Sequence, residues 1–329
     1  MELRIALGQA PSTPGDLPAN LALAARLTAG AGRCGARVLA LPELFACGYD
    51  PESIAADPHG WSLTPPPDGT APAPGSPLAP LAEAAATAGV WVLLGAAVAT
   101  AGRPHNALLV IDPTGTVRGH YGKSHLWQGE SDAFDPGTGL VLIEDGGVSV
   151  GLGICYDAGF PELTRAYARA GAHAVLFGSA FATGPTEYRY GVYHPARAVE
   201  NTVCVLVVNA VGDLAGEHYF GRSGAWGPDG RPLARCADDV SELRVVTVSA
   251  PETAAVRREL PYLGDLRTDL LGEPPTPPLT RIPAPVKAAA APAAPVRAGS
   301  VTAAPAPAVP HPDHHTTPGA LHVSRLSRD

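Results

Sequence analysis

The stretch GLGICYDAGFPEL, residues 151–163, ends an apolar run in a cysteine and follows it with an aspartate, a glycine and a proline able to start a helix. A cysteine inside a core is a small hydrophobe, but one at a strand-to-helix corner presents its sulfur where a substrate can reach it. Nucleophilic use of Cys155 needs a base to take the thiol proton and donors or a cation to hold the oxyanion. Histidine is one source of base, and His125, His173 and His194 are available. His173 interrupts a run entering a strand and His194 sits in a helical pattern, so structural roles explain both more simply. A carboxylate is the other source. Glu43 follows the apolar run LALP at a strand end, where α/β proteins place their ligand sites. Lys123, in HYGKSHLW just past an apolar hairpin, offers the cation. Taken singly, a strand-end glutamate is often a cap and a lysine after a hairpin is often solvated surface.

Other chemistries find less support. GRSGAWG (221–227) does not match the GxSxG nucleophile elbow, and GLG (151–153) lacks the third glycine of a dinucleotide fingerprint. GKSH (122–125) lacks the upstream glycine of a phosphate loop. A two-carboxylate glycosidase stays open in the background, with too many acidic candidates to choose among. Cys34, Cys47, Cys155, Cys204 and Cys236 are odd in number and form no CxxC pair, which predicts free thiols in a reducing compartment and no zinc site. The histidine cluster HPDHH (311–315) has no cysteine beside it and is not assigned as a metal site.

The elements that must position these residues are legible from periodicity. Apolar runs at 3–7, 37–41, 90–98, 106–112, 148–154, 174–177, 203–209 and 243–248 predict strands. Helical patterns lie at 18–33 with Asn20 as cap, 78–88, 161–171 with Pro161 in the first turn, and 187–201. Strands alternating with helices predict an α/β domain. DPTG (112–115) and GPDGRPL (227–233) add hairpins, so the sheets are mixed. The proline-rich segment 64–77 is a loop. Of 329 residues, 46% are hydrophobic, enough to fill a sizeable core. Near residue 272 the composition turns to proline and alanine, which predicts a domain over 1–272 and a disordered tail over 273–329. Lys and Arg number 23 against 31 Asp and Glu, for a net charge of −8, with no basic run suited to nucleic acid or an anionic membrane. Neither a signal-peptide pattern nor a membrane-spanning run is visible, so a cytoplasmic protein is expected.

Taken together, LPELFACGY around Glu43, YGKSHL around Lys123 and GLGICYDAGFPEL around Cys155 resemble the nitrilase superfamily of carbon-nitrogen hydrolases, whose triad runs glutamate, lysine, cysteine in that order. ALGQ near the start, ARAVEN (196–201), VVNAVG (207–212), FGRSGAWGPDG (220–230) and RRELPYLGDLRTDLL (257–271) extend the likeness over nearly the whole domain. The resemblance implies a four-layer α-β-β-α sandwich of two mixed sheets and a homodimer or higher homo-oligomer. It makes Glu43 the general base, Cys155 the nucleophile, and Lys123 with the Tyr156 backbone N–H the oxyanion hole. ESDAF with Gly137 after it resembles a second glutamate motif, so Glu130 would orient Lys123. A thioester forms and is hydrolysed, and neither metal nor organic cofactor is needed. Arg197, Glu200 and Asn201 would support the core.

Within the family, Tyr156-Asp157 after the cysteine favours amides over nitriles, and the short KSHLWQGE (123–130) resembles small amidases more than N-carbamoyl hydrolases. Many such members carry arginine two residues after the aspartate. Gly159 stands there in this chain, which argues against a carboxylate-bearing substrate and for a neutral or bulkier acyl group. The expectation is therefore an amidase for a small, neutral primary carboxamide, with Tyr49, Trp127, Gly159, Phe160 and Phe181 in the pocket and Cys47 on its wall. N-carbamoyl hydrolase and nitrilase are the nearest alternatives. A glutaminase-like ammonia donor, an acyltransferase and an inactive scaffold stand further off.

Overall fold

The computed structural model describes residues 1–285. The strands in chain order are β1 (Glu2–Gln9), β2 (Val38–Ala40), β3 (Trp91–Val98), β4 (His105–Ile111), β5 (Val117–Gly122), β6 (Leu140–Asp145), β7 (Val148–Ile154) and β8 (Ala174–Ser179). They continue as β9 (Cys204–Asn209), β10 (Val211–Leu214), β11 (Glu217–Phe220), β12 (Gly224–Trp226), β13 (Pro232–Arg235), β14 (Glu242–Ser249) and β15 (Leu279–Pro283). The helices are α1 (Leu17–Arg33), α2 (Pro51–Ala56), α3 (Pro58–Trp61), α4 (Ala79–Ala88), α5 (Glu130–Ala133), α6 (Pro161–Arg169), α7 (Tyr188–Asn201), α8 (Ala250–Glu259) and α9 (Thr268–Leu271). A 3-10 turn spans Cys155–Gly159.

One sheet runs β14-β1-β2-β3-β4-β5, the other β13-β12-β9-β8-β7-β6-β15, and the hairpin β10-β11 pairs apart from both. Each is mixed: β1, β2 and β3 are parallel, as are β7, β8 and β9 and the edge pair β6-β15, while the remaining pairs are antiparallel. The two-residue side-chain period sorts the layers. Leu3, Ile5 and Leu7 of β1 share a core with Val150, Leu152 and Ile154 of β7, between the sheets. Ala6, Leu39, Val92 and Leu94 face outward and pack with Leu21 and Ala24 of α1 and Leu81 and Ala85 of α4. On the far side, Tyr167 of α6 and Ala198 of α7 cover the second sheet. The result is the four-layer α-β-β-α order expected, and both hairpin signals join antiparallel strands, β4 to β5 and β12 to β13.

Two sequence readings are corrected. Asn20 is not the cap of α1: Asp16 accepts the Ala19 N–H at 3.0 Å, while Asn20 is buried and bonds Thr13 and Ala46. The domain end expected at 272 falls short, because β15 pairs in parallel with β6 from Leu279 opposite Leu140 to Pro283 opposite Glu144. Of its residues Ile282 alone is buried, so an edge strand inside a proline-rich stretch carried no alternation to read. The HPDHH cluster lies outside the described residues. Among the described residues no helix is long and apolar enough to cross a membrane.

Candidate active site

Three loops at strand ends converge. Beyond β2 the chain turns sharply at Pro42–Leu44, pressed against β3 at Gly95, where an added Cβ would lie 1.8 Å from the Pro42 carbonyl oxygen. Leu44 takes the left-handed φ of 50° to complete the turn, and Glu43 projects inward. Lys123 follows β5; its N–H donates to the Asn106 carbonyl at 2.8 Å and its carbonyl accepts from Gly137 at 2.9 Å. Gly137 must be glycine, since a Cβ would come 2.3 Å from the Gly122 oxygen. Cys155 follows β7 with φ 42°, a backbone that non-glycine residues adopt at a cost of order 1–3 kcal/mol, and it opens the 3-10 turn.

The side chains of Glu43, Lys123 and Glu130 are buried together. Lys123 Nζ donates to Glu43 Oε1 and to Glu130 Oε1, each at 2.7 Å. Glu130, at the start of α5, also accepts from the Tyr49 hydroxyl at 2.8 Å and from the Trp127 N–H at 2.7 Å. Asn106 donates to Glu43 Oε1 at 2.7 Å, whereas Glu43 Oε2 has no partner. Burial raises the pKa of Glu43; Lys123 opposes this and Glu130 adds to it. Burial works against the charge of Lys123, but the Glu43 and Glu130 carboxylates outweigh it and its pKa rises. Burial, then the Glu43 charge, holds the Cys155 thiol well above its ordinary value, with Lys123 pulling the other way. The resting sulfur is therefore protonated and needs a base to become a nucleophile.

Asp157 ties the cysteine corner to the lysine loop across the two sheets. Its Oδ2 accepts from the Ile154 N–H at 3.0 Å and the Tyr121 hydroxyl at 2.7 Å, and its Oδ1 accepts from the His125 N–H at 3.0 Å. From α7, Arg197 donates to the carbonyls of Ala158 at 2.9 Å and Gly159 at 3.0 Å, fixing the far end of the turn.

Cys155 opens onto a cavity of about 820 Å³. Tyr49, Trp127, Tyr156 and Phe181 line it, while Glu43, Lys123 and Glu130 are buried and do not. Gly159 and Phe160 do not line it. The 3-10 turn directs Gly159 against Tyr193, and Phe160 stacks on His125 at 3.6 Å. Cys47 is fully buried, hydrogen-bonded to the Leu44 carbonyl, and packs with Ile54, Ala97 and Phe134 rather than on the wall. Of the histidines weighed as bases, His125 is held by Asp157 at 2.8 Å, His173 accepts from the Ser149 N–H, and His194 is enclosed by aromatic rings. Sequence reasoning missed Asn106, a buried amide in an apolar strand, and the cavity residues Arg189, Tyr193 and Tyr219. The four-residue spacing of Arg189 and Tyr193, which puts them on one face of α7, was the available signal. Among the described residues no cluster of three or more His, Cys, Asp or Glu could hold a metal ion.

The profile of the carbon-nitrogen hydrolases matches residues 4–258. The chain belongs to the carbon-nitrogen hydrolase family. It is thus a hydrolase of carbon-nitrogen bonds other than peptide bonds, of the nitrilase superfamily. This carbon-nitrogen hydrolase is 37% identical over 210 residues to an (R)-stereoselective amidase of Pseudomonas sp., covering 61% of this chain and 73% of the relative. It is 28% identical over 264 residues to the omega-amidase NIT2 of Bos taurus, covering 76% and 90%. Among solved structures, the amidase from Nesterenkonia sp. AN1, as a double mutant in complex with acrylamide, superposes with a TM-score of 0.68 at 30% identity, covering 82% of this chain and 96% of that one. Another mutant of that amidase shows Michael addition of acrylamide at its active-site cysteine.

Proposed function

We propose that this hydrolase is an amidase that converts a small primary carboxamide with a neutral acyl group to the carboxylic acid and ammonia through a thioester on Cys155. The observation that carries the reading is the buried Lys123 ammonium between two carboxylates, beside a protonated thiol, with Glu43 Oε2 left unpartnered. That oxygen is the base. The sulfur attacks the amide carbon as its proton passes to Glu43, whose pKa burial raises and so makes it a better proton acceptor than an exposed carboxylate. Lys123 has three N–H donors and spends two on Glu43 and Glu130, which leaves the third for the oxyanion beside the Tyr156 N–H. Collapse breaks the C–N bond, and the leaving nitrogen takes the proton from Glu43 and departs as ammonia. Water then gives a proton to Glu43 and its oxygen to the thioester carbon; the C–S bond breaks and Glu43 returns the proton to the sulfur. Glu130 fixes Lys123 and, through Trp127 and Tyr49, links this chemistry to the cavity wall.

Amidase activity in the Pseudomonas, Bos taurus and Nesterenkonia relatives supports the choice of amides. Gly159 leaves the turn after Cys155 without a cation, which supports the neutral acyl group. The test is ammonia release over a panel of primary amides, N-carbamoyl amino acids, glutamine and nitriles, beside Cys155→Ala. Release from neutral amides that is lost in Cys155→Ala is expected. Preference for N-carbamoyl compounds or nitriles would overturn the substrate assignment, and full activity in Cys155→Ala would overturn the nucleophile.

A further inference from the structure

We propose that the cavity beside Cys155 takes an aromatic acyl group, with Trp127 and Tyr193 as the residues that select it. The inference rests on the amidase reading and names the substrate class. The cavity's volume of about 820 Å³ falls within the range of about 300–1,000 Å³ that encloses drug-sized ligands, far more than a short aliphatic amide fills. Its wall is rich in rings: Trp127, Tyr156, Tyr193, Phe181, Tyr49 and Tyr219.

Two of these rings are set in place before any substrate arrives. The Trp127 N–H donates to Glu130 Oε2 at 2.7 Å, so its backbone belongs to the buried charge network. Its ring meets Tyr156 edge-on at 4.8 Å, and the Arg189 guanidinium lies 4.5 Å from its centroid. A ring held by groups other than the ligand loses little freedom on binding. Tyr193 covers Gly159: a Cβ there would meet Cε2 of the tyrosine at 3.5 Å and Cζ at 3.8 Å. The ring thus stands in van der Waals reach of position 159 and sets an aromatic face beside the turn that follows Cys155. The charged residues along the wall point the same way. Asp50, Glu52, Asp132 and Glu217 stand against Arg189, leaving a net negative cavity that disfavours an anionic acyl group. A neutral planar ring gains from the remaining apolar surface and from edge and face contacts with Trp127 and Tyr193.

The test compares kcat/KM for phenylacetamide, propionamide and succinamate in the full chain and in Trp127→Leu and Tyr193→Leu. Leucine at 127 keeps the backbone N–H that Glu130 uses. The full chain is expected to prefer phenylacetamide over propionamide by about tenfold or more, and each variant to shrink that ratio by about tenfold. A ratio near one in the full chain, or a ratio that neither variant moves, would overturn the selection. Preference for succinamate would overturn it in favour of an anion-binding cavity. Those outcomes leave the amidase reading standing, whereas no hydrolysis of any of the three would overturn both.

Discussion

Behind the cavity, the side chains of Lys123, Glu43 and Glu130 are exposed by 1%, 0% and 0%, and the bonds among them are sheltered from water. At the solvent-exposed rim of the protein, Arg222 pairs with Glu187 and Asp238 through side chains exposed by 28%, 30% and 43%. The same kind of bond does different work in the two places. In the floor neither water nor salt can replace a lost partner, so each charge depends on the others. At the rim, solvent screens the pair and a lost partner is replaced by water. The floor therefore tolerates little change, and the rim tolerates more.

The strongest way to break this contrast is Lys123→Met, which leaves two buried carboxylates facing each other. Activity should vanish and urea denaturation should show a loss of about 3–5 kcal/mol; a loss below about 1 kcal/mol would make the floor no different from the rim. Next, Glu43→Gln keeps shape and removes the base. Its kcat should drop by about 10²–10⁴-fold in steady-state ammonia release while the thermal midpoint holds or rises, since a buried charge has gone. Normal turnover would assign the proton to another group.

A third experiment extends the comparison to a buried group that is neutral. His194 on α7 is buried among Phe181, Tyr190 and Trp226, its Nδ1 is 2.8 Å from the Tyr190 carbonyl oxygen, and its Nε2 has no partner. Burial lowers its pKa from 6.5 to about 4. The unfolded chain then binds the proton first as pH falls, so the stability from neutral His194 is complete above pH 6.5 and is lost between 6.5 and about 4. Urea titrations across this window should show His194→Phe losing less stability than the parent, by on the order of 3 kcal/mol. Equal slopes would show that the ring is hydrated in the folded protein. Smaller still, Arg222→Met should cost about 0–1 kcal/mol in urea denaturation and leave kcat unchanged. A collapse in kcat would make the rim part of the floor.

The sequence was most informative where chemistry is local. Glu43, Lys123 and Cys155 each sit at the end of an apolar strand, so a short window identified both the residue and the place it projects. The cavity was harder because its wall is assembled from Arg189, Tyr193 and Tyr219, remote in the chain from Cys155. Adjacency misled for Gly159 and Phe160, since one 3-10 turn carries them to the other side of the corner. Asp157 could be noticed as a family marker, but its part as a clamp depends on partners as far away as Tyr121 and His125. Among the strands, β15 escaped because an edge strand needs only one buried side chain, and composition senses burial rather than backbone pairing.

That last strand has a consequence for how the molecule behaves in a crowd. By lying along β6, β15 occupies the hydrogen-bonding groups on one margin of the seven-stranded sheet. A chain stopped at 272 would leave those N–H and C=O groups as a template for strands from other molecules. Leu279–Pro283 thus guards the sheet against intermolecular strand addition, and an expression boundary drawn where the composition changes would bare that margin.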